Sequence, residues 1–131
     1  MLTILPIENK DEQEALCGAC GIEYDPDALA YAARIDDVLA GVCQFRIQGD
    51  TAFISGLMPP TNTPDEGYDY EALFIMCRAA MRFAYDCFCV TMKAKKGVMP
   101  EKIARDTGFC ECEDSTLTSS LISLYGGECR G

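Results

Sequence analysis

The stretch Ile54-Ser55-Gly56-Leu57-Met58-Pro59 ends a run of strand-forming residues and leads into a loop. Residues 59–69 contain three prolines, one glycine and no aliphatic side chain, so they cannot form part of a core. Residues 70–85 then repeat apolar side chains at the spacing of an amphipathic helix. We expect the following side chains to face the core: Leu73, Met76, Ala80 and Phe83. The stretch therefore predicts a strand, a long exposed loop and a largely buried helix.

Three strand-like runs precede this loop: residues 28–35, 38–47 and 51–58. They are separated by Asp36-Asp37 and by residues 48–50, both of which are short and turn-like. Because such turns join neighbouring antiparallel strands, the runs predict a meander.

The chain begins with a strand-like segment, residues 2–7, followed by the start of a helix. Asn9, with Glu12 three positions later, is typical of an N-terminal cap. The helix should stop at Gly21. We expect one of its faces to carry Ala15, Leu16, Ala19 and Cys20.

The last third of the chain predicts one helix among strands. Residues 88–94 alternate with the period of a half-buried strand. Residues 100–107 predict a short helix, with proline in its first turn and Gly108 at its end. Two further strands are expected at residues 109–113 and 117–125. The full order predicts one α+β domain, residues 1–131, with a mixed, mostly antiparallel sheet of six to seven strands flanked by helices.

Composition limits the classes of function. The 131 residues carry 21 acidic and 11 basic side chains, a formal charge of -10, so we expect neither nucleic acid nor a membrane surface as a partner. Histidine is absent, which excludes imidazole-based catalysis and the common zinc sites that use histidine. The sequence has neither an apolar run of ~20 residues nor a secretory signal pattern at its start, so we expect a cytosolic protein.

The nine cysteines include one CxxC pair and two CxC pairs: Cys17/Cys20, Cys87/Cys89 and Cys110/Cys112. Paired thiolates suit zinc or an iron–sulfur cluster, but the glycine-rich turns of structural zinc sites are missing around them. Alternation on a strand would place both members of a CxC pair on one face. We expect free thiols that pack as small buried hydrophobes, and no metal. A metal site and a redox-active CxxC are the alternatives.

The order of elements resembles the GNAT (N-acetyltransferase) superfamily over nearly the whole chain. The resemblance is carried by residues 54–59 running through the loop into residues 72–84, and by residues 100–109 ending in Thr107-Gly108-Phe109. It implies acetyl-CoA as cofactor, lying where the fourth and fifth strands splay apart. The pyrophosphate would rest on backbone amides at the start of the following helix. It also implies an acceptor amine, on a small molecule or a peptide.

Carried over to this sequence, the resemblance implies these cofactor-binding residues: Leu57, Met58, Gly67, Tyr68, Asp69, Tyr70 and Lys93. Tyr68 and Tyr70 are the phenols beside the expected thioester and are therefore the candidate catalytic residues. Lys93 belongs to a basic cluster with Lys95, Lys96 and Lys102, which could attract a nucleotide phosphate. The alternative is that these lysines are exposed at strand ends, where they protect an edge and aid solubility.

The sequence also departs from the family pattern. Of the family's Q/R-x-x-G-x-G/A loop, Gly67 alone remains a glycine, and four carboxylates accompany it: Asp65, Glu66, Asp69 and Glu71. The position of the family's tyrosine is Ala104, that of its asparagine is Gly97, and residues 51–57 contain no carboxylate. The alternative explanation of the acidic segment is a capped helix behind a surface loop.

Two hypotheses about function follow. The first is an acyl-CoA-dependent N-acyltransferase-like protein with weakened or lost acetyl transfer, relying on orientation and backbone hydrogen bonds. The second is a non-catalytic binding or interaction module on the same fold, with residues 59–69 as its recognition surface. The fold by itself does not choose between them.

Overall fold

The structure is a computed structural model that describes residues 1–126, apart from the side chain of Glu113. Within that range the order of elements is β1 (Leu2–Pro6), α1 (Lys10–Ala19), β2 (Leu29–Ile35), β3 (Val38–Gln48), β4 (Thr51–Met58), α2 (Tyr70–Asp86), β5 (Thr91–Lys95), α3 (Glu101–Asp106), β6 (Cys110–Glu111), β7 (Thr116–Ser120) and α4 (Leu121–Tyr125). The predicted domain extends to residue 131, so its last five positions, 127–131, lie outside the described residues.

The seven strands form one sheet in the order β1-β2-β3-β4-β5-β7-β6. Every neighbouring pair is antiparallel except β4 and β5, which are parallel because α2 carries the chain across between them. This sheet and its flanking helices confirm the predicted α+β class with a mixed, mostly antiparallel sheet.

The β2–β3–β4 meander is confirmed, and its turns have a local cause. Asp36 and Asp37 have φ values of 49° and 69°, and Gly49 has a φ of 65°. Hairpin turns with positive φ match the right-handed twist of the strands they join, and Asp and Gly accept that conformation at low cost. Local turn chemistry therefore sets the boundaries of these three strands.

Helix α2 packs against one face of the sheet and contributes eight buried residues to the main core within residues 1–126. Leu73, Met76 and Ala80 are fully buried, as predicted. The prediction for Phe83 is wrong, because 37% of its surface is exposed. The buried side of the helix continues instead through Ala84, and Phe83 lies at the rim of the core. There its ring makes edge contacts with two other aromatic rings, those of Tyr31 and Phe45.

Helix α1 lies on the opposite face of the sheet. Its cap is confirmed, since the side chain of Asn9 accepts a hydrogen bond from the backbone N–H of Glu12 at 3.0 Å. Its buried face is partly different from the predicted one. Cys20 is buried and Leu16 half-buried, but Ala15 and Ala19 are exposed, and the helix buries Gln13 and Cys17. Hydrophobicity could not identify Gln13, whose burial depends on a partner in the sheet.

The predicted strand at residues 88–94 is shorter in the structure and begins at Thr91. Helix α2 ends in a tight turn in which the backbone N–H of Cys89 reaches the carbonyl of Ala84, at 2.9 Å. Phe88 has a φ of 70° within this turn and is 65% exposed. The predicted alternation of buried and exposed residues therefore does not apply before Thr91.

The two C-terminal strands are also shorter than predicted. Of residues 109–113, two form β6. Residues 117–125 were expected to form one strand, but β7 ends at Ser120, whose side chain caps α4 by accepting from the N–H of Ser123 at 3.2 Å. A serine followed by mixed apolar residues suits both a strand and a helix start, so the sequence alone does not separate the two. None of the helices in residues 1–126 is long and apolar enough to span a membrane.

Candidate functional site

Strands β4 and β5 separate at the place where the resemblance puts the cofactor. They pair from Thr51 opposite Thr91 to Ile54 opposite Ala94. Beyond Ile54, β4 has a β-bulge. Ile54 and Gly56 pair with residues of β3, and Ser55 between them has no partner on that strand. Such a bulge bends its strand, and β4 continues to Met58 after β5 has ended. The result is a crevice between β4 and the chain that follows β5.

This crevice is bridged by the protein's own backbone. The N–H of Leu57 donates a hydrogen bond to the carbonyl of Val98, with 2.9 Å between nitrogen and oxygen. Val98 is half-buried in the loop between β5 and α3, and Leu57 is fully buried. Met58, the next candidate residue, is half-buried and packs with the α1 side of the sheet. The backbone donor that the crevice would offer to a ligand is therefore already used.

The start of α2 is capped by the loop that precedes it, residues 59–69, which we call the acidic loop. Asp69 is the N-cap residue, and its carboxylate accepts a hydrogen bond from the N–H of Ala72 at 2.9 Å. The N–H of Gly67 donates to the carbonyl of Pro64 at 2.8 Å. Two of the amides near this helix end therefore already have partners. The carboxylates of Asp65, Glu66, Asp69 and Glu71 are all on exposed residues.

The phenol of Tyr70 is held against α3. Its hydroxyl donates to a carboxylate oxygen of Asp106 at 2.6 Å, and the ammonium of Lys102 lies 4.9 Å from the centre of its ring. The hydrogen bond to Asp106, followed by burial, raises the pKa of Tyr70 above its ordinary value. Tyr70 therefore links the first turn of α2 to α3. Tyr68, the other candidate, is half-buried and packs against the main core.

The predicted lysine cluster is divided in the structure. Met92 and Ala94 are buried under α2, so Lys93 and Lys95 extend from the opposite face of the sheet. Lys96 pairs with Glu111 at 3.4 Å, and Lys102 lies against Tyr70. The structure therefore brings Gly67, Tyr68, Asp69 and Tyr70 together at one end of α2, but it does not bring Lys93 to them. The cofactor and catalytic roles implied for these residues stay predictions.

An open groove lies on the sheet face that carries α1. Its main pocket has a volume of about 570 Å³ and is lined by side chains of β3, β4 and β5 and by the loop before β2. Charged residues of both signs face it: Glu23, Arg46, Lys93 and Lys95. A second pocket of about 380 Å³ shares Glu23, Arg46 and Ser55 with the first and adds Asp25. The two pockets form one groove, which we call the charged groove.

One side of the charged groove is fixed by a buried amide, that of Gln44. Its side-chain oxygen accepts from the side-chain amide of Gln13 at 3.0 Å and from the backbone N–H of Asp25 at 3.1 Å. Its side-chain nitrogen donates to the carbonyl of Glu23 at 2.8 Å and to the hydroxyl of Ser55 at 2.9 Å. The network therefore joins α1, the loop before β2 and β4. The sequence analysis missed it. Gln44 inside an apolar run was a usable signal for one partner, but Gln13 stands between Glu12 and Glu14 and gave no sign of the pairing.

The cysteines divide between core and surface. Of the eight cysteines in residues 1–126, five are buried and three are exposed, the exposed ones being Cys87, Cys110 and Cys112. The expectation that both CxC pairs are buried is wrong, because Cys87 caps the end of α2 and the other pair lies on or beside the edge strand β6. Burial raises the pKa of Cys20 to about 11 and that of Cys77 to about 12. Within residues 1–126 no group of three or more Cys, Asp or Glu side chains is placed to hold a metal ion. Cys129 lies outside the described residues.

Comparison with solved structures identifies the fold. The IAA acetyltransferase from Bacillus cereus ATCC 14579 matches with a TM-score of 0.68 and 15% identity, over 92% of this chain and 99% of that one. The ribosomal-protein-S18-alanine N-acetyltransferase from Escherichia coli also gives 0.68, with 11% identity, over 92% and 94%. A GNAT family acetyltransferase from Elizabethkingia anophelis, solved with acetyl-CoA bound, gives 0.65 and 13% identity, over 91% and 97%. No protein-family model and no curated protein matches the sequence.

These similarities show that the chain has the GNAT fold, which confirms the resemblance inferred from the order of elements. The match covers nearly all of this chain and nearly all of each of those proteins. At identities of 11% to 15% the likeness concerns the fold, and function must be argued from the site.

Proposed function

We propose that this protein is an acyl-CoA-dependent N-acyltransferase-like protein in which acetyl-CoA binding is weak and acetyl transfer is weakened or lost. The acyl-CoA class is supported by the Elizabethkingia anophelis structure with acetyl-CoA bound and by a GNAT-fold N-acetyltransferase from Thermoplasma acidophilum in complex with coenzyme A. Where acetyl transfer persists, the acceptor would be a small or peptide amine, drawn by the acidic surface.

The observation that carries this proposal is the hydrogen bond from the N–H of Leu57 to the carbonyl of Val98. A pantetheine chain lying in the crevice would have to break this bond and displace the loop that contains Val98. Each exchanged hydrogen bond contributes about 1 kcal/mol net, and the displaced carbonyl needs a new partner. Binding in the crevice therefore requires free energy to break this hydrogen bond and move the loop, which binding in an open crevice would not require.

The acidic loop adds an electrostatic cost. A carboxylate within ~4 Å of a phosphate costs on the order of 4 kcal/mol at an effective dielectric constant near 20, before screening by salt. Asp69 is fixed at the helix end by its bond to Ala72, so it cannot leave the anion site without uncapping α2. The pyrophosphate would therefore gain little binding free energy from the backbone amides at this helix end.

Among residues 1–126, the two positions considered for a proton donor at the crevice do not offer a free hydroxyl. Ala104 stands where many family members carry a tyrosine, and the hydroxyl of Tyr70 is engaged with Asp106. Residual acetyl transfer would depend on holding the amine and the thioester together, a contribution that needs no acid group. The alternative hypothesis, a non-catalytic binding module, is favoured by one observation, the charged groove.

The test is calorimetric titration of the full chain with acetyl-CoA. We expect a dissociation constant weaker than ~100 μM, a free energy no better than about -5.5 kcal/mol. Acetyl-pantetheine, which lacks the pyrophosphate, is the matched control ligand and should bind about as weakly. In ¹⁵N spectra the Leu57 amide should keep its position well below ~100 μM acetyl-CoA and shift only as the weak complex fills at higher concentration. A low-micromolar constant, with a large shift of Leu57, would contradict the proposal. No detectable binding at millimolar acetyl-CoA would select the binding module.

A further inference from the structure

We propose that the exposed thiols of Cys110 and Cys112 form a two-coordinate site for a soft monovalent metal ion, Cu(I). Each sulfur would bind the metal as a thiolate, from opposite sides. The pair lies on and directly after the edge strand β6, and neither thiol lines the crevice, the acidic loop or the charged groove. The inference therefore goes beyond the proposed function and requires no acyl-CoA.

The packing role expected for the cysteines does not apply to this pair. The five buried cysteines of residues 1–126 fill space in the interior as small hydrophobes, but Cys110 and Cys112 are both exposed. Strand β6 is the last strand of the sheet, so a metal ion can reach these thiols directly from solvent. Two exposed thiols at this spacing therefore need another explanation.

The backbone holds both cysteines in extended conformation before any metal arrives. Cys110 pairs with Thr118 of β7, and the N–H of Cys112 donates to the carbonyl of Thr116 at 2.7 Å. Cys112 thus continues the pairing with β7 two residues beyond Cys110, and alternation along the strand puts both side chains on one face of the sheet. Because two donors fixed in this way lose little further freedom on binding, the arrangement favours affinity.

The spacing of the two side chains suits one metal ion between the sulfurs. Residues two apart on a strand have Cα atoms roughly 6.6 Å apart. With bonds near the ~2.3 Å of zinc thiolates, two sulfurs on opposite sides of a metal lie roughly 4.6 Å apart. Each side chain has to lean toward the other by about 1 Å, within the range of ordinary rotamers. The Sγ of Cys112 already leans this way, since it lies 3.9 Å from the carbonyl oxygen of Cys110.

The number of ligands selects the class of metal. Among residues 1–126, no three Cys, Asp or Glu side chains are placed to hold one ion together. Glu111, between the two cysteines, alternates to the other face and pairs with Lys96 at 3.4 Å. Zinc in structural sites and iron–sulfur clusters both take four protein ligands, so two thiolates leave them incomplete. Cu(I) is selected by soft thiolates, and two of them in line satisfy its filled d shell.

The binding step balances without a change of oxidation state. One Cu(I) and two thiols give a bis-thiolate complex of charge -1 and two released protons. No electron is transferred. Lys93 and Lys95 extend from the same face of β5, two strands away from the cysteines. Their positive charge favours the anionic complex over the two neutral thiols.

The experiment is an anaerobic titration of the reduced full chain with Cu(I), supplied as its coloured bicinchoninate complex. We expect the protein to take one Cu(I) per chain from this chelator, with thiolate-to-copper absorption in the near ultraviolet and release of two protons in weak buffer. X-ray absorption should find two sulfur neighbours around the copper. Zn²⁺ added at the same concentration should be removed by dialysis.

Alkylation followed by peptide mapping locates the bound thiols on the unmodified chain. One equivalent of Cu(I) should protect Cys110 and Cys112. Cys87 is the internal control, because it is also exposed but its CxC partner, Cys89, is buried. It should therefore stay reactive. Protection of Cys87 in place of the pair, or of none of these thiols, would overturn the proposal.

Variants test the two ligands one at a time. Cys110→Ser and Cys112→Ser nearly keep the size of the side chain, and each should weaken Cu(I) binding at least roughly tenfold. Cys87→Ser is the matched control and should leave it unchanged. The proposal fails if a double Cys110→Ser, Cys112→Ser variant binds Cu(I) as tightly as the unmodified chain, if three or four sulfurs surround the copper, or if the pair retains Zn²⁺. The alkylation map tests the site even where a variant does not fold, and none of these results depends on the acetyl-CoA titration.

Discussion

The hydroxyl of Tyr70 and the carboxylate of Asp106 form a 2.6 Å hydrogen bond that joins the first turn of α2 to the end of α3. The resemblance implied that this phenol could act as an acid at the thioester. In the structure it donates to a carboxylate of its own chain, and Lys102 lies over its ring. The contact ties together the two helices that flank the crevice.

The first prediction concerns the ionisation of this phenol. The bond to Asp106 and burial raise the pKa of Tyr70 above 10.0. Because the folded state holds the proton more tightly than the unfolded state, the stabilisation is present below about pH 10 and is lost as the pH rises through the folded pKa. Asp106→Asn should move the pKa of Tyr70 back toward its ordinary value, and Tyr70→Phe should reduce the alkaline loss of stability. Ring-carbon NMR titration and urea unfolding against pH measure these effects. An unchanged Tyr70 pKa in Asp106→Asn would contradict the assigned cause.

The second prediction concerns the core. Leu73→Ala should lower the free energy of unfolding by about 2 to 5 kcal/mol, as a deleted buried leucine does. Phe83→Ala should lower it by less than the ~3 kcal/mol typical of a buried phenylalanine, because Phe83 is 37% exposed at the rim. Urea unfolding of both variants makes the comparison. A larger loss for Phe83→Ala than for Leu73→Ala would place Phe83 inside the core.

The parts of the fold that follow from local chemistry could be predicted from the sequence. Asp36-Asp37 sets a hairpin, and Asn9 starts α1, because the turn or cap is encoded by those side chains themselves. The buried pair Gln13 and Gln44 could not be predicted, since each is buried only because the other lies opposite it in three dimensions. Their spacing in the sequence gives no sign of that pairing.

The candidate site likewise has some features that could be predicted from the sequence and others that could not. The acidic character of residues 65–71 is visible in the sequence, and so is the missing family tyrosine at Ala104. The hydrogen bond from Leu57 to Val98 is not visible in the sequence, because a bond between two backbone groups does not require particular side chains. The alternation of Lys93 with Met92 and Ala94 is also visible in the sequence, but the sequence does not show that α2 covers the face of β5 that carries Met92 and Ala94.

The third prediction concerns thiol reactivity. The thiolate is the reactive form, and burial raises the pKa of Cys20 to about 11 and of Cys77 to about 12. Brief alkylation of the native protein near pH 8 should therefore modify the exposed Cys87, Cys110 and Cys112 and spare these two. Peptide mapping by mass spectrometry identifies the modified sites, and alkylation in guanidinium provides the control in which all nine cysteines react. Rapid native labelling of Cys20 would support the redox alternative for the CxxC pair.

The fourth prediction concerns the acidic loop as an obstacle to the cofactor. Pro64→Arg with Asp69→Gly restores a basic residue and a second glycine at the positions of the family's Q/R-x-x-G-x-G/A pattern. The double change removes the carboxylate that occupies the N–H of Ala72 and adds a positive charge beside the helix end. Glycine is an acceptable N-cap, so the loss of stability should be a few tenths of a kcal/mol. We expect acetyl-CoA to bind at least ~10-fold more tightly, about 1.4 kcal/mol.

Asp37→Gly with Glu14→Gln is the charge-matched control for this loop variant, because both double variants change the net charge by two units. Asp37 lies in the β2–β3 turn, where φ is 69° and glycine is well tolerated, and Glu14 is exposed on α1, so the folding of this control should be unaffected. If both variants raise acetyl-CoA affinity equally, the effect belongs to net charge and not to the loop. If the folded loop variant binds no better than the unmodified chain, the acidic loop is not the limiting feature. The hydrogen bond from Leu57 to Val98 would then remain as the main obstacle, because it occupies the crevice whatever the charge of the loop.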